Sequence, residues 1–329
     1  VLLGLIPRSK EANVSPKITI IRSLVDIRPN KCYNPFIGSN TSLKFKGVSY
    51  MNIYEKEQVE RERNYLVTKS NQIVQKSRYN FSVAEQRAIA YICSLISPVE
   101  KADNSELQLE YTFNILEYAR VCGIEQNGKF YNEVKSTLKN LHDKSMWLAL
   151  PDGSETTVSW LAKATISSKS GLAKIELDKD LVPYLFDLKN KFLSYGLKNI
   201  LNMKSQYSIR MYELLRSHHD MRISQTDKRT AVEREGLPQK TTWTIDLDEL
   251  KKTLMVDGIK TYDNFKDFRK KVLEVAQKEI NALTDTNIYF EPITKGRKVI
   301  KIKFSIVRKA YFARISADHR NDLLLGDPK

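Results

Sequence analysis

The sequence predicts an α+β fold that is built from two copies of one structural unit. In the first copy, an alternating strand near residues 107–113 is followed by two helices and then by antiparallel strands. The same order returns between residues 243 and 306. A strand, two helices and a hairpin in this order are the winged-helix version of the helix-turn-helix. The sequence therefore predicts two tandem winged-helix domains that are related by internal duplication.

The charge balance favours a partner that carries many negative charges. The 329 residues include 54 Lys and Arg against 39 Asp and Glu, which gives a net charge of +15. Nucleic acid and an anionic membrane surface are the partners that such an excess favours. The chain has no run of eighteen apolar residues, so we expect no transmembrane helix and no membrane partner. Its composition, 41% hydrophobic and 28% charged, is typical of a soluble globular protein.

The two ends of the chain differ from its middle. Prolines 7, 16, 29 and 35 interrupt the first fifty residues, whereas a charged, helix-prone stretch opens at Met51. We expect the natural protein to start at or near Met51, with residues 1–50 as upstream reading frame or a disordered arm. The predicted divisions are an N-terminal segment (1–60), a first winged-helix domain (61–190), a second (191–309) and a C-terminal tail (310–329).

Capping residues place the helices of the first unit. Ser82 and Glu85 have the spacing of a capping box, which predicts a helix that ends near Pro98. A short helix is predicted to start at Asn114 and to end at Gly123. The second helix of the pair is predicted at about residues 129–144. Three strands, at 146–150, 156–166 and 172–177, are then predicted from a period of two between turn residues.

The connection between the units contains a helix start that is suited to an anion. Residues 178–191 are predicted as a helix and a short link, and a helix with Ser205, Tyr207, Ser208 and Arg210 near its first turn follows within 192–215. Free N–H groups and the helix dipole favour a phosphate there. The alternative is a polar helix start in an ordinary core. Residues 222–242 are predicted as a mobile loop.

The second unit repeats the capping pattern of the first. A strand at 243–245 leads to Asp246 and Glu249, which match Asn114 and Glu117. The short helix is predicted to end at residues 257–259, and a long helix is predicted at 264–283. A hairpin that turns at residues 295–297 completes the unit.

These elements predict two sets of DNA contacts. In the winged-helix fold the second helix of each pair enters the major groove, where Arg and Asn can read guanine and adenine edges. The base-reading candidates are the exposed positions of those helices: Asn132, Lys135, Ser136, Lys139, Lys266, Arg269 and Lys270. The phosphate candidates lie at the helix start and the hairpin tips: Lys204, Ser205, Tyr207, Ser208, Arg210, Lys169, Lys295, Arg297 and Lys298. Either basic helix face, taken alone, is also compatible with a merely solvated surface.

The sequence offers little support for catalysis, a cofactor or a metal. Residues 123–129 match G-x-x-x-x-G-K, but a helix is predicted before them and Phe130 follows, so a helix cap and turn explain the glycines better than a phosphate loop. His142 and His319 are isolated, and the adjacent His218 and His219 are predicted to complement a helix C-terminus. Cys32, Cys93 and Cys122 form no C-x-x-C motif, which favours buried thiols in a reducing cytoplasm.

Several stretches resemble the initiator replication proteins of iteron plasmids. The likeness spans about residues 66–308 and is strongest at 81–87, 204–215, 265–273, and 279–281 together with 284–285. It implies a tandem winged-helix fold and binding to direct repeats of double-stranded DNA at a plasmid origin in the bacterial cytoplasm. It also implies monomers that help to open the origin, and homodimers, joined through the first domain, that repress the initiator's own gene. The host initiator and the replicative helicase are further partners that the resemblance suggests.

Two other functions remain open from the residues alone. A winged-helix transcription regulator has the same DNA-binding chemistry, and it would bind one promoter palindrome rather than several repeats. A nicking relaxase belongs to another class. It needs two metal-binding histidines on one strand beside a tyrosine nucleophile, and the four histidines do not provide that arrangement.

Overall fold

The computed structural model describes residues 65–96, 108–188, 191–226 and 239–309. Several predictions concern residues outside these ranges: the N-terminal segment, the start at Met51, the C-terminal tail, and the residues Cys32, Pro98 and His319. The first described elements are β1 (Leu66–Ser70), α1 (Asn71–Lys76), β2 (Ser77–Arg78) and α2 (Val83–Leu95). The predicted capping box is confirmed, because the Ser82 hydroxyl accepts the N–H of Glu85 and the Glu85 carboxylate accepts the N–H of Ser82.

The first winged helix follows the predicted order. It consists of β3 (Glu110–Asn114), α3 (Ile115–Val121), α4 (Phe130–Asp143), a hairpin of β4 (Ser145–Ala149) and β5 (Glu155–Ser159), and the strands β6 (Leu161–Ser167) and β7 (Leu172–Leu177). The Asn114 side chain caps α3 by accepting the N–H groups of Leu116 and Glu117. Gly123 lies just beyond the end of α3 with φ 64°, so the predicted start and stop of this helix are confirmed.

The single strand that was predicted at 156–166 is wrong. It is two strands in different sheets: β5 pairs with β4, which pairs with β2, whereas β6 pairs with β7, which pairs with β3. Trp160 lies between β5 and β6 and is buried. Each strand keeps the two-residue alternation, and the only sign of the corner in the sequence is the run of three apolar residues at 160–162.

The connection between the winged helices contains more regular secondary structure than the sequence predicts. A 3₁₀ turn (Lys179–Leu181) and α5 (Val182–Leu185) lead to β8 (Phe192–Gly196), α6 (Lys198–Leu201) and the 21-residue helix α7 (Gln206–Thr226). β8 pairs antiparallel with β1. Residues 222–226 of the predicted loop are therefore helical, residues 239–242 belong to the next strand, and residues 227–238 lie outside the described residues.

The second winged helix repeats the topology of the first. Its elements are β9 (Gln239–Asp246), α8 (Leu247–Thr253), a 3₁₀ turn (Lys260–Tyr262), α9 (Phe265–Phe268), a π-helical turn (Arg269–Leu273), α10 (Glu274–Leu283), β10 (Thr286–Lys295) and β11 (Lys298–Arg308). The sheet order β9-β11-β10 corresponds to β3-β7-β6 in the first winged helix. The predicted fold class, with two tandem winged helices, is confirmed.

The end of the short helix α8 corrects the sequence prediction. α8 ends at Thr253, and Met255 rather than Gly258 adopts the left-handed conformation, with φ 54°. The N–H of Val256 then donates to the Lys251 carbonyl, as the N–H of Ile124 donates to the Ala119 carbonyl in the first unit. Met255 is therefore the counterpart of Gly123, which a search for glycine could not identify.

Helix α7 contacts elements on both sides of the link between the winged helices. It contacts α1, α2 and β8 on one side and β9 and α10 on the other. Its buried residues include polar and charged side chains, namely Ser208, Arg210, Glu213, Arg216, Ser217 and His219. Since α7 contacts elements of both winged helices, the domain boundary at residues 190 and 191 stays a prediction.

Two further properties of the described residues bear on the sequence predictions. Cys93 and Cys122 are both buried thiols, and burial raises the pKa of Cys93 to about 12. Within the four described ranges, no helix is both long enough and apolar enough to span a bilayer.

Candidate nucleic-acid interface

Helix α4 presents a polar face that corresponds to the predicted base-reading positions. Asn132, Lys135, Ser136 and Lys139 are all exposed, whereas Val134, Leu138 and Leu141 are buried. Lys139 is paired with Asp143 one turn further on, and hydrogen bonds from Lys139 and His142 lower the pKa of that carboxyl. Within the described residues, Lys135 makes no ion pair, so its ammonium group is available to a ligand.

The corresponding helix of the second winged helix is longer and more basic. We call residues 265–283, which comprise α9, the π turn and α10, the second reading helix; α4 is the first reading helix. Asn264 caps it by accepting the N–H of Lys266 at 2.9 Å. Phe268, Val272, Ala276 and Ile280 are buried on its inner side. The predicted base-reading candidates Lys266, Arg269 and Lys270 are all exposed.

The π turn changes how this helix presents its cations. The N–H of Glu274 donates to the Arg269 carbonyl, five residues back, and Arg269 Nε donates to Glu274 Oε1 at 2.8 Å. Residues five apart lie on different faces of an ordinary α-helix, so this ion pair depends on the wider turn. Arg269, Lys270 and Lys271 are consecutive and all exposed. Lys271 pairs with Asp267 at 3.5 Å, whereas Lys270 makes no ion pair within the described part of the chain.

Both hairpin tips are exposed and basic. In the first winged helix the turn between β6 and β7 carries Lys169, and Gly171 closes it with φ 68°. In the second the tip between β10 and β11 carries Lys295, Arg297 and Lys298 around Gly296. Each winged helix therefore combines a polar second helix with a basic wing tip, the pair of surfaces that this fold uses on DNA.

The anion that was predicted at the start of α7 is an internal carboxylate. The N–H groups of Lys204 and Ser205 donate to the two carboxylate oxygens of Glu279 on α10, at 3.0 and 3.3 Å. The Lys204 side chain is exposed and the Ser205 side chain is half-buried. Tyr207 is half-buried and contacts Tyr262 edge-on, with ring centroids 6.3 Å apart. The backbone of this helix start is thus occupied, while the Lys204 ammonium remains accessible.

Two of the predicted phosphate contacts are corrected by their burial. Ser208 is 0% exposed, and Arg210 is 3% exposed. The Arg210 guanidinium donates to the carbonyls of Val74 and Ser77, at 2.7 and 2.6 Å, and lies over the Tyr79 ring. A buried guanidinium with these partners cannot contact a phosphate in this structure. Arg210 instead connects α7 to α1 and β2.

The two adjacent histidines are also not where the sequence predicted. α7 continues to Thr226, so neither histidine lies at its C-terminal end. His218 stacks on Trp243, and His219 Nδ1 shares a hydrogen bond of 2.8 Å with Thr241 Oγ1. Burial lowers the pKa of both rings to about 4, so they are neutral at neutral pH and join α7 to β9.

The described residues offer no support for a metal or nucleotide site. Among them, no group of three or more His, Cys, Asp or Glu side chains could hold a metal ion. The G-x-x-x-x-G-K stretch follows α3 rather than a strand, and Asn127 Oδ1 accepts the N–H of Lys129 just before α4. Its glycines therefore belong to a helix end and a turn, as predicted.

Sequence comparison with protein families identifies the chain. The family model described as "Initiator Replication protein, WH1" matches residues 66–216, and "Initiator Rep protein, WH2" matches residues 246–306. Together the two models span more than half of the chain. The chain belongs to the initiator replication protein family. The first winged helix falls within the first match, and the second match runs from the last residue of β9 through α8 and α10 into β11, so the resemblance found in the sequence is confirmed.

Individual relatives agree with this family assignment. A replication initiation protein of Escherichia coli is 27% identical over 246 residues, which cover 73% of this chain and 69% of that protein. The PI protein of Escherichia coli is 30% identical over 164 residues, which cover 46% of this chain and 47% of that protein. A crystal structure of the Pi initiator protein in complex with iteron DNA matches with a TM-score of 0.57 and 20% identity, over 75% of this chain and 98% of that one. This structural likeness shows the shared fold.

Sequence reasoning assigned no role to four charged side chains that the structure makes prominent. Glu274 pairs with Arg269, Lys271 extends the basic turn, Glu279 caps α7, and Asp285 lies in a buried cluster beside α7. The stretch 279–285 contributed to the family resemblance, which was the one available signal for Glu279 and Asp285.

Proposed function

We propose that this protein is a plasmid replication initiator that binds repeated double-stranded DNA sites, the iterons, at its origin and helps to open it. The observation that carries this proposal is the duplicated surface: two winged helices, each with a polar second helix and a basic wing tip, in a chain of the initiator family. The Pi initiator protein, which shares the fold, was crystallised with iteron DNA.

The side chains divide into two roles. On the two reading helices, base edges in successive major grooves are contacted by Asn132, Lys135, Ser136, Lys139, Lys266, Arg269 and Lys270. Phosphates are held at the wing tips and around the start of α7 by Lys169, Lys204, Ser205, Tyr207, Lys295, Arg297 and Lys298. The second winged helix is the principal reader, because its reading helix presents three consecutive cations and its wing carries three more.

The proposed mechanism is non-catalytic. Binding energy from phosphate contacts and base contacts supplies the specificity, and origin opening follows from occupancy of several repeats rather than from strand cleavage. A relaxase would leave covalently attached protein on a supercoiled origin after denaturation. Recovery of free, uncut DNA is the expected result, and a covalent adduct would contradict the mechanism.

The oligomeric state and the partners extend the proposal. The monomer is the species that binds repeats, and a homodimer in equilibrium with it represses the initiator's own gene from the bacterial cytoplasm. The host initiator and the replicative helicase are the partners at the opened origin. Sedimentation velocity over a range of protein concentrations, with and without iteron DNA, tests the equilibrium. A single sedimenting species throughout would contradict it.

Selection of binding sites from a random DNA pool tests the function directly. The expected product is an asymmetric motif that recurs as tandem direct repeats in the origin of the protein's own replicon. A two-fold symmetric motif found once at a promoter would instead indicate a winged-helix transcription regulator. The absence of any enriched motif would contradict sequence-specific binding altogether.

A further inference from the structure

The second reading helix is attached to α7 at two points. The first is Glu279, whose carboxylate oxygens each accept one N–H group from Lys204 and Ser205, the two residues immediately before α7. Hydrogen bonds from N–H groups to a carboxylate are stronger than those between neutral groups. Glu279 therefore holds the start of α7 against the middle of α10.

The second point is Asp285, two residues beyond the end of α10. Its carboxylate, which is 13% exposed, accepts hydrogen bonds from the Tyr212 hydroxyl, at 3.0 Å, and the Thr286 hydroxyl, at 2.9 Å. The guanidinium groups of Arg216 and Arg308 each lie 3.7 Å from the same carboxylate. Burial alone would raise the pKa of Asp285, but the two arginines outweigh it and hold this pKa below its usual value. Asp285 is thus a charged group at neutral pH, and two of its partners belong to α7.

The attachment at Asp285 includes a further contact, through its backbone. The N–H of Asp285 donates to Asn199 Oδ1 at 3.0 Å, and the Asn199 side chain also donates to the Gly196 carbonyl at the end of β8. The backbone and the side chain of Asp285 are therefore both held by the segment from β8 to α7. This contact fixes the chain where the reading helix passes into β10.

Two separated points determine the direction of a helix, whereas one point would leave it free to swing. Glu279 and Asp285 are six residues apart, which corresponds to about 9 Å along a helix at 1.5 Å per residue. Any tilt of the second reading helix relative to α7 must break the contacts at one of the two points. The orientation of this helix is therefore set by α7.

α7 is attached in turn to the first winged helix through α2. The Arg87 guanidinium on α2 donates to the Met203 carbonyl just before α7, at 2.8 Å. Glu85, also on α2, forms an ion pair of 2.8 Å with Lys144, the residue that follows α4. Helix α2 also contacts both α4 and α7. A continuous series of contacts thus runs from the first reading helix through α2 and α7 to the second.

We propose that Glu279 and Asp285 are positioning residues that fix the second reading helix on α7, so that the two reading helices bind DNA as one unit with a fixed spacing. The inference rests on the proposed DNA-binding function and adds to it a constraint on the site. The two major-groove segments that are read must lie at one separation, because the protein does not adjust to another.

Spacer insertion tests this inference. The probe is the duplex that the wild-type full-length chain selects from a random pool, with its two read segments mapped by base-interference footprinting. Inserting two base pairs between them adds about 7 Å and about 70° of rotation, since a helical turn is about 34–36 Å. The wild-type chain should lose about tenfold or more in affinity, a loss of about 1.4 kcal/mol or more.

Two variants loosen the attachment, and a third serves as their control. Glu279→Gln removes the charge that holds the start of α7, and Tyr212→Phe removes the hydroxyl that donates to Asp285 without changing net charge. Both should bind the original duplex yet lose no more than about threefold on the expanded one, as a flexible joint would allow. Glu249→Gln on α8 removes the same charge at an exposed position outside both attachment points, and it should keep the wild-type profile.

The outcomes separate the inference from the proposed function. If the wild-type chain selects no duplex, the proposed function fails. If it selects one but tolerates the insertion, the function stands and the fixed spacing is overturned. If both variants keep the steep wild-type profile, the roles of Glu279 and Asp285 are overturned. Circular dichroism shows whether each variant is folded, and Tyr212→Phe decides the question if Glu279→Gln does not fold.

Discussion

Replacing Arg269 by alanine is the sharpest test of base reading by the second reading helix. A bidentate contact between arginine and guanine contributes about 1–3 kcal/mol of discrimination. In the free protein Arg269 is paired with Glu274, and both side chains are about half exposed, at 53% and 47%. Exposed ion pairs are worth about 0.2–1 kcal/mol, which is given up when the arginine turns to DNA. We therefore expect a net loss of about 1–2 kcal/mol, or about 5–30-fold, on the selected duplex.

The neighbouring Lys271 provides a matched control for charge. It lies on the same π turn, is exposed at 52%, and is paired with Asp267 as Arg269 is paired with Glu274. Fluorescence-anisotropy titrations should compare Arg269→Ala and Lys271→Ala on the selected duplex and on a scrambled duplex of equal length. Lys271→Ala should weaken binding to both duplexes equally, whereas Arg269→Ala should weaken mainly the selected one. Equal losses for Arg269→Ala on both duplexes would refute its role as a base reader.

Four other predictions concern residues whose environment the structure defines. Arg210→Ala should lower the free energy of unfolding by about 3 kcal/mol, because two buried carbonyls lose a charged donor. The salt dependence of DNA affinity should stay unchanged. A weaker dependence of affinity on salt would show that Arg210 contacts a phosphate after all. Met255→Gly should raise the free energy of unfolding by about 0.5–1 kcal/mol, because glycine adopts the left-handed conformation without strain. Gly123→Ala should lower the free energy of unfolding for the same reason. Denaturant midpoints equal to that of the wild type would contradict both expectations. Because the pKa of His219 falls from 6.5 to about 4 on folding, the unfolded chain binds its proton first as the pH falls. The contribution of His219 to stability should therefore be fully present above pH 6.5 and about 2 kcal/mol lower at pH 5. His219→Gln should remove this loss and leave the similar loss that His218 causes through the same pKa shift, which urea titrations at both pH values would detect. Arg297→Ala at the second wing tip should weaken binding to all duplexes alike and reduce the salt slope by about one unit, and a loss confined to one sequence would contradict a phosphate contact.

Local signals in the sequence were sufficient for the order of elements. The capping box at Ser82 and the cap at Asn114 act within one helical turn, so residues three apart identify them. The duplication was visible for the same reason, since each copy repeats the order of its own local patterns. The exposed faces of both reading helices followed from helical periodicity, because the buried residues on the opposite face are regularly spaced.

The environment of α7 could not be predicted in this way. Ser208 and Arg210 are polar residues near a helix start, which ordinarily face solvent. Here they are buried because α1 and β2 cover one side of α7 while the second winged helix covers the other. These neighbours are distant in sequence, so no local pattern identifies them. Glu279 is also distant in sequence from the start of α7, and its carboxylate occupies the site where a DNA phosphate was expected.

At two other places the structure differs from the prediction because the pattern of apolar residues hardly changes where the backbone does. The alternation of β5 resumes in β6 after a short apolar run at 160–162, so the pattern resembles one strand although the two strands belong to different sheets. The π turn at Arg269 leaves the spacing of Phe268, Val272 and Ala276 within the range of an ordinary helix, so the pattern of buried residues does not reveal it. At Met255 the backbone adopts a conformation that favours glycine, so a search of the sequence for glycine points to Gly258 instead of to the residue that follows the helix end.

Footprinting of the full-length chain on the replication origin of its own replicon tests the central claim most directly. We expect protection of several tandem direct repeats, with the same pattern of protected major grooves in each repeat. Protection of one palindrome at a promoter, or protection without any sequence preference, would contradict it.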